Sequence, residues 1–179
     1  FAFIVFSYEQ WQGGGLEPVR MAPFVIAPPW VNVEPESGWF TIRLDPGVVF
    51  GNCLHPTTAH CLQAMARCRR QRPFTRVLDI GTGTGVLALA AAFLGAESVT
   101  AVDLNPLCVK TADANVALNG LERVIRVKAG TAEEFADLPA DLVVANIHYD
   151  VIDALLRTKG FQQRERLVLS GLMRSEAGN

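Results

Sequence analysis

Apolar and polar positions along the chain change period several times, and each change marks an element. Val77-Leu78-Asp79-Ile80 is a short apolar run with one acid inside it, the pattern of a buried strand. Gly81-Thr82-Gly83-Thr84-Gly85 interrupts the run, and the apolar stretch from Val86 to Leu94 then reads as a buried helix. Ser98-Val-Thr-Ala-Val-Asp103 predicts a second strand closed by an acid. Asn105-Pro106 opens a helix with Leu107, Val109, Ala112, Val116 and Ala117 as its expected apolar stripe, and Asn119-Gly120 supplies a left-handed stop. Val124, Arg126 and Lys128 alternate around Ile125 and Val127, which predicts a third strand over 123–128. A fourth strand is expected at 141–145, ending at Asn146, then a helix over 151–157 and a fifth strand over 166–170.

The first third of the chain is less regular. Residues 1–6 are apolar and predict a strand, broken by Gly13-Gly14-Gly15. The proline-rich stretch from Met21 to Trp30 reads as an extended linker, because proline fixes φ and disfavours helix before it. Phe40, Ile42 and Leu44 alternate with Thr41 and Arg43, the period of a half-buried strand, and Asp45-Pro46-Gly47 turns the chain. The Pro-Thr-Thr end of the loop from Gly51 to Thr58 starts a helix with Cys61, Leu62, Met65 and Cys68 on its inward face. Arg67, Arg69, Arg70 and Arg72 crowd that helix's end, where cations complement the helix dipole.

Strands alternating with helices imply parallel βαβ units. The expected architecture is a three-layer α/β/α sandwich around a mainly parallel sheet. Right-handed crossovers and a reversal of strand order beside the first strand place a ligand crevice at the strands' C-terminal ends. The glycine turn, Asp103 and Asn146 all fall at such ends.

The length of 179 residues suits one full domain with a remnant of another: residues 1–20 as a remnant or linker, 21–179 as the ligand-binding domain. A net charge of −2 speaks against a nucleic-acid surface, so no direct nucleic-acid binding is expected. No apolar run reaches transmembrane length, and Cys53, Cys61, Cys68 and Cys108 form no CxxC pair. Reduced thiols in a cytoplasmic protein are the expectation. Cys53, His55, His60 and Cys61 match no standard ligand spacing, so no metal site is expected.

Asp103 follows the glycines by about twenty residues, where a carboxylate accepts from both hydroxyls of a ribose. The turn is GxGxG followed by Val86, where a dinucleotide fingerprint carries its third glycine, and no basic residue waits there for a pyrophosphate. A ligand with a ribose but no phosphates fits better, and S-adenosylmethionine is the common one. The candidate cofactor set is Asp79, Gly81, Gly83, Gly85, Asp103 and Asn146. At Asn146 a side-chain amide can accept from an incoming amine and aim its lone pair at the methyl carbon; the competing reading is that Asn146 only caps the next helix. His148, Tyr149 and Asp150 follow as candidate lining of an acceptor site.

Several phrases in order, Ala27-Pro-Pro-Trp30, Leu44-Asp-Pro-Gly47, Phe50-Gly51, His55-Pro-Thr-Thr58, Asp79-Ile-Gly-Thr-Gly-Thr-Gly85, Val102-Asp103 and Val144-Ala-Asn-Ile147, resemble the ribosomal protein L11 methyltransferases (PrmA type), class I S-adenosylmethionine enzymes. The resemblance implies a Rossmann-like methyltransferase fold and cofactor contacts at Thr58, Gly81, Asp103 and Asn146. It also implies methylation of lysine ε and N-terminal α amines on a ribosomal protein. Asn52-Cys53-Leu54 departs from the family's usual Thr-Gly-Thr, and Thr131 stands where many relatives of the wider class carry an acid near the adenine. The chain stops after the fifth strand, so the fold's C-terminal antiparallel hairpin is expected to be missing and the exposed sheet edge is a candidate for homo-oligomer contact. Competing functions are a class I methyltransferase acting on another acceptor, a nicotinamide-dependent oxidoreductase, and a non-catalytic binding module.

Overall fold

The structure, a computed structural model, describes residues 17–45, 47 and 55–171. The expected strand at 1–6, the glycines at 13–15 and the Asn52-Cys53-Leu54 loop lie outside the described residues. In chain order the elements begin with β1 (Val19–Met21), β2 (Phe24–Ala27), β3 (Phe40–Arg43) and α1 (Pro56–Gln71). Next come β4 (Arg76–Ile80), α2 (Val86–Phe93), β5 (Ser98–Asp103), α3 (Pro106–Leu118) and β6 (Ile125–Ala129). They finish with α4 (Ala132–Phe135), β7 (Leu142–Asn146), α5 (Tyr149–Leu156), α6 (Lys159–Gln162) and β8 (Leu167–Ser170).

Five parallel strands form one sheet in the order β6-β5-β4-β7-β8. The protein is α/β, with helices on both faces of this sheet. Along each strand alternate residues turn to opposite faces. Val77, Val99, Ala101 and Val144 join Leu62 and Met65 of α1 and Leu89 of α2 in one core. Leu78, Ile80, Val102 and Val143 join Leu155 of α5 and Phe161 of α6 in the other. β4 and β7 are buried on both faces, which is why their sequences are apolar without alternation. Strand order reverses at β4, which has β5 on one side and β7 on the other, and the crevice at this switch point opens at the strands' C-terminal ends.

The stretch from Met21 to Trp30 is not a linker. Phe24, Val25, Ile26 and Ala27 are all buried, and β2 pairs antiparallel with β1 and parallel with β3. The prolines that suggested a linker bound the strand instead of interrupting it: Pro23 stands in the turn before it and Pro28-Pro29 just after, so the ladder loses no N–H. The division expected at residue 20 falls within β1.

The apolar stripe of α3 also differs from the one expected. Cys108, Ala112, Asn115 and Val116 are buried, whereas Leu107 and Ala117 are exposed. Residues five apart on an α-helix stand about 140° apart, so neither can share the face of Ala112. Strand and helix ends elsewhere differ from expectation by a residue or two: β6 begins at Ile125 and α5 begins at Tyr149. The hairpin position beyond Gly171 lies outside the described residues. Among the described residues no helix is long and apolar enough to cross a membrane.

Because Phe24 has no exposed surface and packs against Phe40, Phe24→Ala leaves a cavity. Its unfolding free energy, read from urea denaturation, is expected to fall by about 3–5 kcal/mol. A linker residue would lose almost nothing.

Candidate functional site

The turn after β4 is tied to the end of β5 through its backbone. Gly81 N and Thr82 N both donate to Val102 O, at 2.8 and 3.0 Å. Gly83 N donates to Asp103 Oδ2 at 2.9 Å. Gly81 and Gly83 adopt φ of 70° and 56°, a region in which a side chain is strained, so the tight turn needs glycine there. The other oxygen of Asp103 accepts from Asn105 N at 2.9 Å, which orients the carboxylate at the head of α3.

Asp79 and Gly85, expected as cofactor contacts, do not reach the cleft wall. Asp79 is buried beneath the turn, and its Oδ2 accepts from the Thr82 hydroxyl at 2.6 Å. Its Oδ1 has no hydrogen-bond partner. Burial pushes its carboxyl up to about 7, with the charge of Asp103 adding to the rise; the Thr82 hydroxyl and the Ala88 N–H oppose it. Asp79 therefore braces the turn from below. Gly85 is the N-cap of α2, and an added Cβ would lie 3.2 Å from that of Ala112, so it serves the packing of the turn on α3.

Above the turn lies a cleft of about 640 Å³. Thr58, Gly81, Gly83, Asp103 and Asn146 all line it, contributed by the start of α1 and the ends of β4, β5 and β7. Of the wall that follows β6, sequence reasoning noted Thr131 and missed Gly130 and Glu133, as well as Leu104 and Cys108 beside Asp103. That wall was open to detection. Thr131-x-x-Glu134 is a capping box, in which Glu134 N donates to the Thr131 hydroxyl and the Glu134 carboxylate accepts from Thr131 N at 2.8 Å. A helix start directly after a parallel strand next to the switch point belongs to the crevice. The Cys108 thiol is pushed up to about 11 by burial first and by the Asp103 carboxylate second.

Asn146 Nδ2 donates to Thr58 Oγ1 at 3.4 Å, joining β7 to α1 across the cleft. Asn146 is not the cap of the next helix: the N-cap of α5 is His148, whose side chain makes no capping bond. His148 stands exposed on the rim, while Tyr149 and Asp150 fall outside the wall. His55 caps α1, its Nδ1 accepting from Thr57 N at 3.3 Å. Among the described residues no group of three His, Cys, Asp or Glu could hold a metal ion.

Ile147, the residue after Asn146, packs tightly on both sides. A Cβ on Gly81 would lie 2.1 Å from Ile147 Cγ2, and one on Gly171 would lie 2.1 Å from Ile147 O. Ile147 N also donates to Ser170 O at 3.2 Å. The residue after Asn146 is therefore wedged between two glycines, one in the turn and one after β8.

A sequence profile described as ribosomal protein L11 methyltransferase (PrmA) matches residues 8–179. The ribosomal protein L11 methyltransferase of Geobacillus kaustophilus is 40% identical over 166 residues, covering 89% of this chain and 52% of that protein. The chain belongs to the ribosomal protein L11 methyltransferase family. The member from Pelotomaculum thermopropionicum is 40% identical over 178 residues, covering 96% of this chain and 57% of its own length. A crystal structure of ribosomal protein L11 methylase from Lactobacillus delbrueckii subsp. bulgaricus superposes with a TM-score of 0.74 at 32% identity, covering 88% of this chain and 80% of that one. The chain spans about half the length of the curated family members it matches.

Two outcomes are expected from this geometry. The folded pKa of Asp79 lies above its unfolded value of 3.8, so between roughly pH 4 and pH 7 the native state holds a proton that the unfolded state has lost. Stability attributable to this group therefore falls as pH rises through that window. Asp79→Asn should flatten this part of the melting-temperature profile and raise the melting temperature at pH 8 relative to pH 5, measured against the parent. Separately, Gly81→Ala should be strongly destabilising, and adding Ile147→Ala should recover about 1 kcal/mol or more of that loss in a double-mutant cycle. The left-handed strain at position 81 remains in the double variant, so recovery is partial.

Proposed function

We propose that the protein binds S-adenosylmethionine over the turn at 81–85 and transfers its methyl group to an amine of a ribosomal protein. Asp103 is the observation that carries this reading. A carboxylate has about four acceptor positions. Asp103 commits two of them to the Gly83 and Asn105 N–H groups, and the remainder, touched only by the weak thiol donor of Cys108, suit the two hydroxyls of a ribose.

The chemistry of the wall supports the choice of ligand. The described residues lining the cleft include no Lys or Arg, and Val86 stands where a dinucleotide turn carries glycine. A pyrophosphate would find no matching charge there. Leu104, Val86 and Val102 give the same end of the cleft an apolar surface suited to a purine.

When bound, S-adenosylmethionine supplies a methyl group already made electrophilic by its sulfonium. The chain's task is then alignment and exclusion of water. Asn146 turns its amide nitrogen toward Thr58, so its Oδ1 is the atom that accepts from an incoming amine. The apolar side chains of Ile147 and Val151 in the same wall disfavour an ammonium and favour the neutral amine. Thr58, Gly81, Gly83 and Asp103 would hold the donor in the same cleft, where it would supply the methyl group to the neutral amine held at Asn146. A ribosomal protein as acceptor is supported by the names of the family members that the chain matches.

Calorimetric titration tests the reading. S-adenosylhomocysteine should bind and NAD should not, and Asp103→Ala should weaken S-adenosylhomocysteine by about a hundredfold, the value of two charge-assisted hydrogen bonds at the low end of their range. Unchanged affinity in that variant would remove the assignment. Radiolabelled methyl transfer into ribosomal proteins from a methylation-deficient cell tests the acceptor.

A further inference from the structure

Asn115 lies in the middle of α3, has no exposed surface and is absent from the cleft wall. An amide buried this deeply inside a helix needs partners, and Asn115 finds them in two other segments. Its Oδ1 accepts from Asp45 N at 2.8 Å, and its Nδ2 donates to Asp45 O at 2.8 Å and to Thr84 O at 2.9 Å. One helical turn later Asn119 repeats the pattern on Arg43. It accepts from Arg43 N at 3.0 Å, donates to Arg43 O at 2.7 Å, and donates to Asn115 O at 2.7 Å.

The two spacings match. Four residues of helix rise about 6 Å, and two residues of extended chain rise about 6.6 Å. Asparagines at i and i+4 therefore meet alternate residues of a strand running past them, and each amide offers the donor and acceptor that a neighbouring strand would offer. Each amide has one donor to spare. Asn119 returns its own to α3. Asn115 sends its own into the glycine turn, to the carbonyl of the fully buried Thr84.

We infer that Asn115 is a positioning residue that couples the donor-binding turn to the segment leaving β3, so that ligand in the cleft and order at Arg43 to Asp45 rise together. The inference rests on the cofactor reading proposed above. The turn carries glycines with positive φ at 81, 83 and 85, the residue type whose backbone has most conformational freedom to lose on ordering. A ligand that orders the turn fixes the Thr84 carbonyl on Asn115, and the same amide then holds both backbone groups of Asp45. Packing reinforces the link: Ala112 lies against Gly85, and the Thr111 side chain lies 3.2 Å from where a Cβ on Gly47 would stand. In chain order the coupled segment precedes His55 and Thr58, both in the cleft wall. Linkage makes the coupling reciprocal, so loosening Asp45 must weaken the ligand by the factor with which the ligand tightens Asp45.

Amide hydrogen exchange by NMR, with and without S-adenosylhomocysteine at a saturation confirmed by calorimetry, tests this on the whole protein. Exchange at the Asp45 amide, which is absent from the cleft wall, is expected to slow about fivefold or more on binding, the low end of coupling between sites. Asn115→Ala should abolish that slowing and weaken S-adenosylhomocysteine by a similar factor. Asn119→Ala, which cuts the Arg43 half of the clamp and leaves the Thr84 link, should keep the Asp45 response. A merely structural asparagine would lower the melting temperature in both variants and leave S-adenosylhomocysteine affinity in Asn115→Ala equal to that of the parent, which overturns the inference; affinity decides because the Asp45 amide loses its own acceptor in that variant. It is also overturned, without any variant, if the parent binds S-adenosylhomocysteine and Asp45 exchange does not change. No binding in the parent removes the cofactor reading itself, and this inference with it.

Discussion

The backbone amides of the glycine turn, donated to the last two residues of β5, hold this site together. Gly81 and Thr82 donate to the Val102 carbonyl, and Gly83 donates to the Asp103 carboxylate. These bonds bring the end of β4, the start of α2 and the head of α3 to one place. They also decide the state of Asp103, which is oriented by backbone before any ligand arrives. Everything else in the wall is arranged around that joint: Asp79 below it, Ile147 against Gly81, and Asn115 behind Thr84.

Glycine has several different duties in this arrangement. At Gly83 the turn needs a left-handed residue whose N–H can reach a carboxylate. At Gly81 the same conformation is needed, and in addition the absent side chain makes room for Ile147. Gly171, on the far side of Ile147, gives room to its carbonyl. The residue that follows the proposed acceptor-binding Asn146 is thus accommodated by two glycines distant in sequence. Asp79 shows the cost of such a joint: a carboxyl sealed beneath the turn, with one oxygen unpartnered, has its proton affinity raised until it titrates near neutrality.

The polar side chains of α3 extend the joint away from the cleft. Asn115 and Asn119 treat the segment leaving β3 as a strand and pair with it. The small three-stranded sheet is thereby attached to the large one through a helix. That attachment explains why Arg43 and Asp45 keep a fixed relation to the glycine turn though no strand of one sheet pairs with a strand of the other.

By itself the sequence determined the α/β class, the parallel strands and the crevice at their ends, because these follow from local period: apolar runs, glycine punctuation and helix starts at Pro56 and Pro106. It also marked Gly81, Gly83, Asp103 and Asn146, which sit at strand ends where the period breaks. It did not reveal which apolar run is a strand when prolines flank it, since only pairing with β1 and β3 makes the stretch from Phe24 to Ala27 a sheet. Nor did it reveal that Asp79 lies buried beneath the turn instead of lining the cleft, because an acid inside an apolar run has the same local pattern either way. Asn115 was invisible for a related reason. A helix reads as amphipathic by counting apolar residues, and an inward asparagine looks like an interruption until the backbone it pairs with arrives from seventy residues away. Tertiary structure alone decided those positions, because it takes a neighbouring strand for residues 24–27, the sealed space beneath the turn for Asp79 and remote backbone for Asn115 to settle them, and none of these carries a sequence signal.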